Sequence, residues 1–338
     1  MINPKTQRRN DAKEQRVFTV PLLLCAFAFI LSLTMTSCST YSYVLEPDIT
    51  YIPQEQHISS LPSAFPELTS DEYAEDWGKE LYIGQVLGSE LDLYRSTTSF
   101  KRAQILLTDD ADSLRDLQID YGLFLGYYLG GRYQEALNVF ENSDLPMVLV
   151  EFPAIQELLI ALFDSYMKTE QYAKAFRTLE LVDMYEDDLG TRLRVGDSII
   201  LGDLCTAQNL GYSLRWGSEL VYELSRDYNC QKLSIGTAQA LNAILPGAGY
   251  LYVGQKRAAL TSLVLNTLFT AAAYSFFHKG YWAAGAITAS LELGWYFGGI
   301  NGAGLAAKTY NECRYNTLGK ETMIRGQFFP VLLFQTAF

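Results

Sequence analysis

The chain has 338 residues, enough for two modest domains with their own cores, and 49% of them are apolar. Its formal charge is −12; residues 1–37 hold five of the 26 basic and two of the 38 acidic residues, so the remainder stands at −15. A chain this acidic repels phosphate backbones, and no nucleic-acid partner is expected.

The first element reads as a targeting segment. Arg8, Arg9, Lys13 and Arg16 precede an apolar run over 17–35, and Thr36-Ser37-Cys38 closes it. This resembles the bacterial lipoprotein signal, in which the Cys becomes the acylated first residue. It implies a signal peptide over 1–37 and lipidation at Cys38, although Met35 stands where that family favours Leu. An uncleaved anchor or an ordinary cleaved signal fits the same run. Beyond Cys25 and Cys38 only Cys205, Cys230 and Cys313 remain. With no C-x-x-C spacing, buried free thiols are expected rather than a disulfide framework or a zinc site.

Residues 38–69 contain Pro47, Pro53, Pro62 and Pro66 and no helical period, which predicts an extended tether. Thr69 followed by Glu72 forms a capping box, and a helical array is expected over 70–232. Phe100-x-x-Ala103, Tyr133-x-x-Ala136 and Tyr172-x-x-Ala175 repeat one pattern, their alanines 33 and then 39 residues apart. Leu123, Tyr127 and Gly131 precede the second unit, and Leu162 and Tyr166 precede the third. This resembles the tetratricopeptide repeat, a helix–turn–helix unit of about 34 residues, over roughly 76–185. Ala at the crossing lets two helices approach, while the aromatic and Leu positions fill the space between them. Phe124 and Phe163 replace small residues of that family, and Glu170 replaces its turn Gly. A generic antiparallel array with accidental spacing gives the same architecture. Residues 189–228 continue the helical pattern, with a break at Gly211.

The region 233–311 has a different composition. A short apolar helix over 235–245 runs into Pro246, Gly247 and Gly249, which end it and turn the chain. Residues 258–277 are uncharged, and 281–300 hold Glu292 as their only charge. Each run of twenty is long enough to cross a bilayer of about 30 Å, and only 278–280 separate them. A membrane hairpin follows, with Tyr250, Tyr252, Tyr281, Trp282, Trp295 and Tyr296 as interfacial aromatics. Ala286, Ser290, Gly294, Gly298 and Gly302 lie four apart, a ridge expected to touch the facing helix. Ser262, Asn266 and Thr270 form a polar stripe opposite, suited to satisfying Glu292 within the hairpin. The string from Leu245 through Gly249, Tyr252 and Gly254 to Ala258, with Glu292-Leu-Gly-Trp-Tyr296 and Lys308-x-Tyr310-Asn311, resembles a bacterial module of two transmembrane helices. That resemblance implies a fold and no chemistry. Lys256, Arg257, Lys308 and Arg314 flank one side of the hairpin and Lys279 its tip, which runs against the positive-inside tendency if the array is exported. Residues 312–338 are expected to form a tail, its apolar end a strand or a helix lying on the membrane.

No catalytic constellation emerges. Gly196-Asp-Ser198 echoes a lipase nucleophile block, but that chemistry needs a His base, and His57 and His278 are the only histidines. The acidic clusters at 109–112 and 186–188 lack calcium-loop spacing. The expectation is an all-α, non-enzymatic protein without cofactor or metal, held at the bacterial envelope by lipid and by its hairpin. It would scaffold protein partners through the repeat surface. The alternative is a transport or channel accessory whose hairpin forms a homo-oligomer and uses Glu292. Cys38→Ala is expected to abolish incorporation of labelled fatty acid and to leave unprocessed precursor; a wild-type chain that takes up no label rejects lipidation.

Overall fold

The computed structural model describes residues 45–338 except 108–112, 149–150, 186–187 and 215–216. The signal segment, Cys38, the start of the tether and most of both acidic clusters lie outside the described residues. Within them the fold is all-α; no strand occurs, and one isolated bridge joins Ser63 to Ala337.

The described part of the tether is packed rather than free. Its only helix is Glu55–Ile58 (α1), and Ile49, Ile58 and Phe65 are buried in the cores of the helices that follow. Four prolines keep the segment out of long helix, but its apolar side chains have pockets to fill. The capping box forms as the sequence predicts: the Thr69 hydroxyl accepts from the Glu72 N–H, and the Thr69 N–H donates to the Glu72 carboxylate, opening Ser70–Ala74 (α2). Buried Arg115 donates to both Glu72 oxygens, at 2.8 and 3.0 Å, and to the carbonyls of Pro66 and Glu67. These contacts hold the Glu72 carboxyl down at about 2.

Four helical hairpins follow. They pair Asp76–Ser89 (α3) with Leu93–Leu106 (α4), Ser113–Leu129 (α5) with Tyr133–Asn142 (α6), Ile155–Lys168 (α7) with Tyr172–Tyr185 (α8), and Leu189–Ile200 (α9) with Leu204–Gly211 (α10). All four close through one turn. Leu91, Gly131, Glu170 and Gly202 take left-handed backbone at φ 56°, 70°, 60° and 80°. The next residue's N–H, at Asp92, Arg132, Gln171 and Asp203, then reaches back five residues to a carbonyl at 2.8–2.9 Å. This satisfies a helix-end carbonyl that would otherwise be orphaned.

Five residues past each left-handed position stand Ser96, Ala136, Ala175 and Ala207, all fully buried. These are the equivalent close crossings. Ala103 is also fully buried, but it lies two turns beyond its unit's equivalent position, which is Ser96. The Ser96 hydroxyl donates to the Gly84 carbonyl at 2.7 Å across that crossing. Tyr133 and Tyr172 open their helices, with Leu93 and Leu204 in the corresponding places. Gly202 makes the turn of the fourth unit, and Gly211 ends its second helix, the break the sequence indicated.

Ser218–Gln231 (α11), Ile235–Ile244 (α12), Ala248–Tyr252 (α13) and Lys256–His278 (α14) lead to Trp282–Arg325 (α15), a single helix of 44 residues. At about 1.5 Å per residue it spans roughly 66 Å and runs straight through the expected boundary at 311. Its first part pairs with α14. Its later part buries Ala303, Ala307, Tyr315 and Met323 against α12, α11 and α9. Cys205, Cys230 and Cys313 are free but exposed, because each falls on the outer face of its helix.

The final residues follow neither reading of the tail. After a left-handed turn at Gln327 they form a 3-10 turn, Pro330–Leu333, and run back along the array. Seven apolar side chains between Phe328 and Phe338 are buried. A strand would need an edge to pair with, and no strand occurs among the described residues; the aromatic side chains instead find space between helices.

Ala136→Leu, Ala175→Leu and Ala207→Leu are each expected to overpack a crossing and cost about 1–3 kcal/mol. Ser96→Leu should cost more, since it also leaves the crossing without its hydrogen bond. Urea unfolding of the full chain checks this, and midpoints equal to wild type would reject the four-fold equivalence.

Candidate interaction site: the filled groove and the apolar hairpin

A repeat array offers two surfaces, one lined by the first helix of each hairpin and one by the second. The first-helix surface is occupied by the chain itself. The Phe328 carbonyl lies against Gly196 of α9, where a Cβ would stand 2.4 Å away. The N–H groups of Gln335 and Thr336 both donate to the Glu157 carboxylate of α7 at 2.9 Å. The Phe334 ring packs 6.1 Å from that of Tyr128 in α5. Phe338 reaches Gly88 of α3 and stacks on Phe100. The tether lies alongside, with Ala337 N–H donating to the Pro62 carbonyl and the His57 ring meeting the Val331 carbonyl. Fully burying a large apolar side chain is worth about 1.5–3 kcal/mol, so the six that are larger than alanine amount to gross stabilisation on the order of 10 kcal/mol. A competing peptide would have to replace all of it.

The second-helix surface is open. On α8, Tyr172 and Phe176 are 50% and 60% exposed one turn apart on one face, and Met184, 78% exposed, stands further along and about 120° around the helix from Tyr172.

No known protein family, curated protein or solved structure matches this chain.

The module formed by α12 to α15 is built around close approaches. The Asn242 side chain, 1% exposed, accepts from the Gly247 N–H at 2.8 Å. Gly247 has φ 94°, and a Cβ there would stand 2.3 Å from the Ala259 carbonyl oxygen of α14. At Gly249 a Cβ would stand 2.2 Å from the Ala238 carbonyl oxygen and 2.8 Å from Ala303. Pro246 sits in the turn between α12 and α13, where the missing N–H costs no helical bond. Gly254 supplies the left-handed turn into α14 at φ 88°, with open space around it. Thus the break named in the sequence folds α12 and α13 back onto α14 and α15. Asn311, buried, clamps the start of α12: its oxygen accepts from the Leu233 N–H and its amide donates to the Leu233 carbonyl. Composition hid Asn242; its spacing of five residues ahead of Gly247 was the available signal.

Three of the expected interfacial aromatics bond or pack within the module, Tyr250 and Tyr296 partly buried and Tyr252 still exposed. Tyr252 accepts from the Ser234 N–H, Tyr296 donates to the Ala243 carbonyl, and Tyr250 packs against Gly302. Tyr281 and Trp282 at the hairpin tip are exposed. Lys308 is held between Glu46 and Glu312, which removes one bare charge from the flank.

Two membrane-crossing helices are expected from the sequence, but among the described residues only α14 is long and apolar enough to cross a membrane, and only 11% of its most apolar stretch is buried. A core helix of that composition would be mostly covered. Leu260, Leu268, Ile287, Leu291 and Trp295 are all more than half exposed along the hairpin. The helices meet through Phe277 against Gly285, Thr270 against Glu292 and Ser262 near Gly299. Gly294 and Gly298 do not touch α14: nothing lies within 4 Å of a Cβ built at either. A four-residue step advances about 40° around a helix, whereas a seven-residue step drifts only about 20°. A nearly straight neighbour therefore meets 285, 292 and 299 and leaves the four-step ridge aside. Of the polar stripe only Thr270 serves Glu292, at 3.4 Å to one oxygen; the other oxygen is buried without a partner, and the Asn266 amide donates to the Ser262 carbonyl instead. Among the described residues no cluster of His, Cys, Asp and Glu has metal-site geometry.

Gly249→Ala should destabilise the module by about 1–3 kcal/mol through overpacking. Gly236→Ala on α12, where a Cβ meets nothing, should be neutral or stabilising by up to about 1 kcal/mol. Limited proteolysis between α12 and α14 separates the two, and equal protection would remove the close-crossing role from Gly249.

Proposed function

We propose that the protein is a membrane-attached scaffold of the bacterial cell envelope, which holds protein partners on the outer face of its helical array. The observation that carries this reading is α15. It runs unbroken from an exposed apolar hairpin into the buried core of the array, so a surface of repeated helices is fixed at a set distance from an apolar anchor. The filled first-helix groove directs partner binding to the second helices, where Tyr172, Phe176 and Met184 offer the large apolar side chains that interfaces favour. Lipidation at Cys38 would add a second attachment, as stable anchoring by acyl chains requires more than one signal.

A photo-crosslinking residue at Phe176 or Met184 of the full chain in intact cells tests the scaffold. The expected product is a discrete adduct to a defined partner that disappears in Phe176→Glu, with no adduct from a probe at Gly236. The same diffuse background at all three positions rejects it.

One observation favours the second reading, a transport or channel accessory. Glu292 keeps a buried carboxyl oxygen without a partner inside an apolar hairpin, and intramembrane carboxyl groups mark ion and proton pathways. Loss of ion or solute flux in Glu292→Gln, with array adducts unchanged, would move the function to the hairpin.

A further inference from the structure

We infer that residues 233–255 form a re-entrant loop, which enters the lipid of one leaflet, turns at Pro246 and leaves on the same side. This rests on the membrane reading of α14 and α15. The stretch holds no charged residue over its whole length, while exposed Lys232 precedes it and exposed Lys256 and Arg257 follow it. Its two ends lie at one level. The Ser234 N–H donates to the Tyr252 hydroxyl at 3.2 Å, and Asn311 of α15 holds both main-chain groups of Leu233. Cations therefore stand where the charge-free loop begins and ends, the charge that suits the phosphates of an anionic lipid surface.

The depth of the loop follows from what its turn touches. A Cβ on Gly247 would meet the Ala259 carbonyl, three residues along α14 from Lys256. Asn242 and Ser262 both lie against Gly299 of α15, and Ser262 is six residues along. At about 1.5 Å per residue, the turn stands roughly 5–10 Å beyond Lys256 on the way to the hairpin tip. Segments that lie in one leaflet bury their apolar side chains to that depth. Helix α14 runs on to His278, so the loop stops in the near leaflet while the hairpin continues.

The turn is built for surroundings without water. In hydrocarbon, irregular backbone is tolerated only where protein buries it and its polar groups have partners. Gly247 and Gly249 are buried. The Leu245 and Ala248 N–H groups donate to the Leu241 and Leu245 carbonyls, the Gly247 N–H donates to the buried Asn242 side chain, and Pro246 has no N–H. A turn in water needs no buried carboxamide for this, because water accepts from a free N–H. The side chains are disposed the other way. Ile244, Leu245 and Leu251 are 82%, 53% and 58% exposed, and Leu260 of α14, at the level of the turn, is 64% exposed. Backbone within and apolar side chains without is the arrangement that acyl chains cover. The loop packs directly on the hairpin, so the lipid that surrounds one surrounds the other.

The test uses the full chain in vesicles of phosphatidylethanolamine and phosphatidylglycerol, with a fluorescent amino acid in place of Ile244, Leu268 or Met184, one at a time. All three side chains are more than half exposed, so the probe displaces no packing. Nitroxide groups on the acyl chains quench a probe in lipid, and iodide quenches a probe in water. The probe at Ile244 is expected to lose its emission to acyl nitroxide, as the probe at Leu268 in the middle of α14 does, and to be shielded from iodide. The probe at Met184 on the array should give the reverse. Iodide quenching at Ile244 equal to that at Met184, with Leu268 still quenched from the lipid, overturns the re-entrant loop alone. Shielding of Ile244 from both quenchers assigns the turn to a protein contact and overturns it as well. No nitroxide quenching at Leu268 overturns the membrane reading and the loop with it.

Discussion

The structure depends on the continuity of α15. Its 44 residues contain no proline, and its backbone bonds run without a break from the hairpin tip to Arg325. A helix bends sharply only where that ladder is interrupted. The apolar hairpin and the repeat array are therefore joined by one continuous helix. The same rod then delivers the final segment into the groove of the array. Tyr315 marks the junction: fully buried, it donates to the Ile199 carbonyl at 2.8 Å and packs edge-on against Tyr228.

Around that rod the packing relies on removing side chains rather than adding them. Ser96, Ala136, Ala175 and Ala207 bring paired helices together in the array, and Gly247, Gly249 and Gly302 do so in the module. Helices this close gain dispersion over many atoms, but they leave polar groups that cannot reach water. The side chains of Asn242, Asn311 and Glu157 answer this by binding main-chain groups at turns and at the final segment. Each is nearly fully buried, and the main-chain groups they bind, at Gly247, Leu233, Gln335 and Thr336, lie outside the helices.

The filled groove changes how a repeat array of this kind works. A resemblance to tetratricopeptide units implies an open surface for partners along the first helices. Here Phe328, Phe334 and Phe338 take that surface, and the tether with Ile49 and Phe65 seals it. The occupied groove leaves the second helices as the accessible face.

The helical class, the hairpin spacing, the capping box at Thr69 and Glu72, and the break at Pro246 to Gly249 were all legible in the sequence, because each rests on local backbone preference. The repeat register was not. Leu91 and Glu170 adopt left-handed turns with no glycine to announce them, so the aromatic-x-x-Ala pattern settled on Ala103 instead of Ser96. The four-residue spacing of small residues was legible, but which way they face depends on which residues the neighbouring helix meets, and that is a property of two helices together. The fates of the tether and the final segment were likewise decided in tertiary structure. Apolar residues without helical period can lie on lipid, form a strand or fill a gap, and only the presence of a gap lined by Gly88, Gly196 and Tyr128 chooses among them.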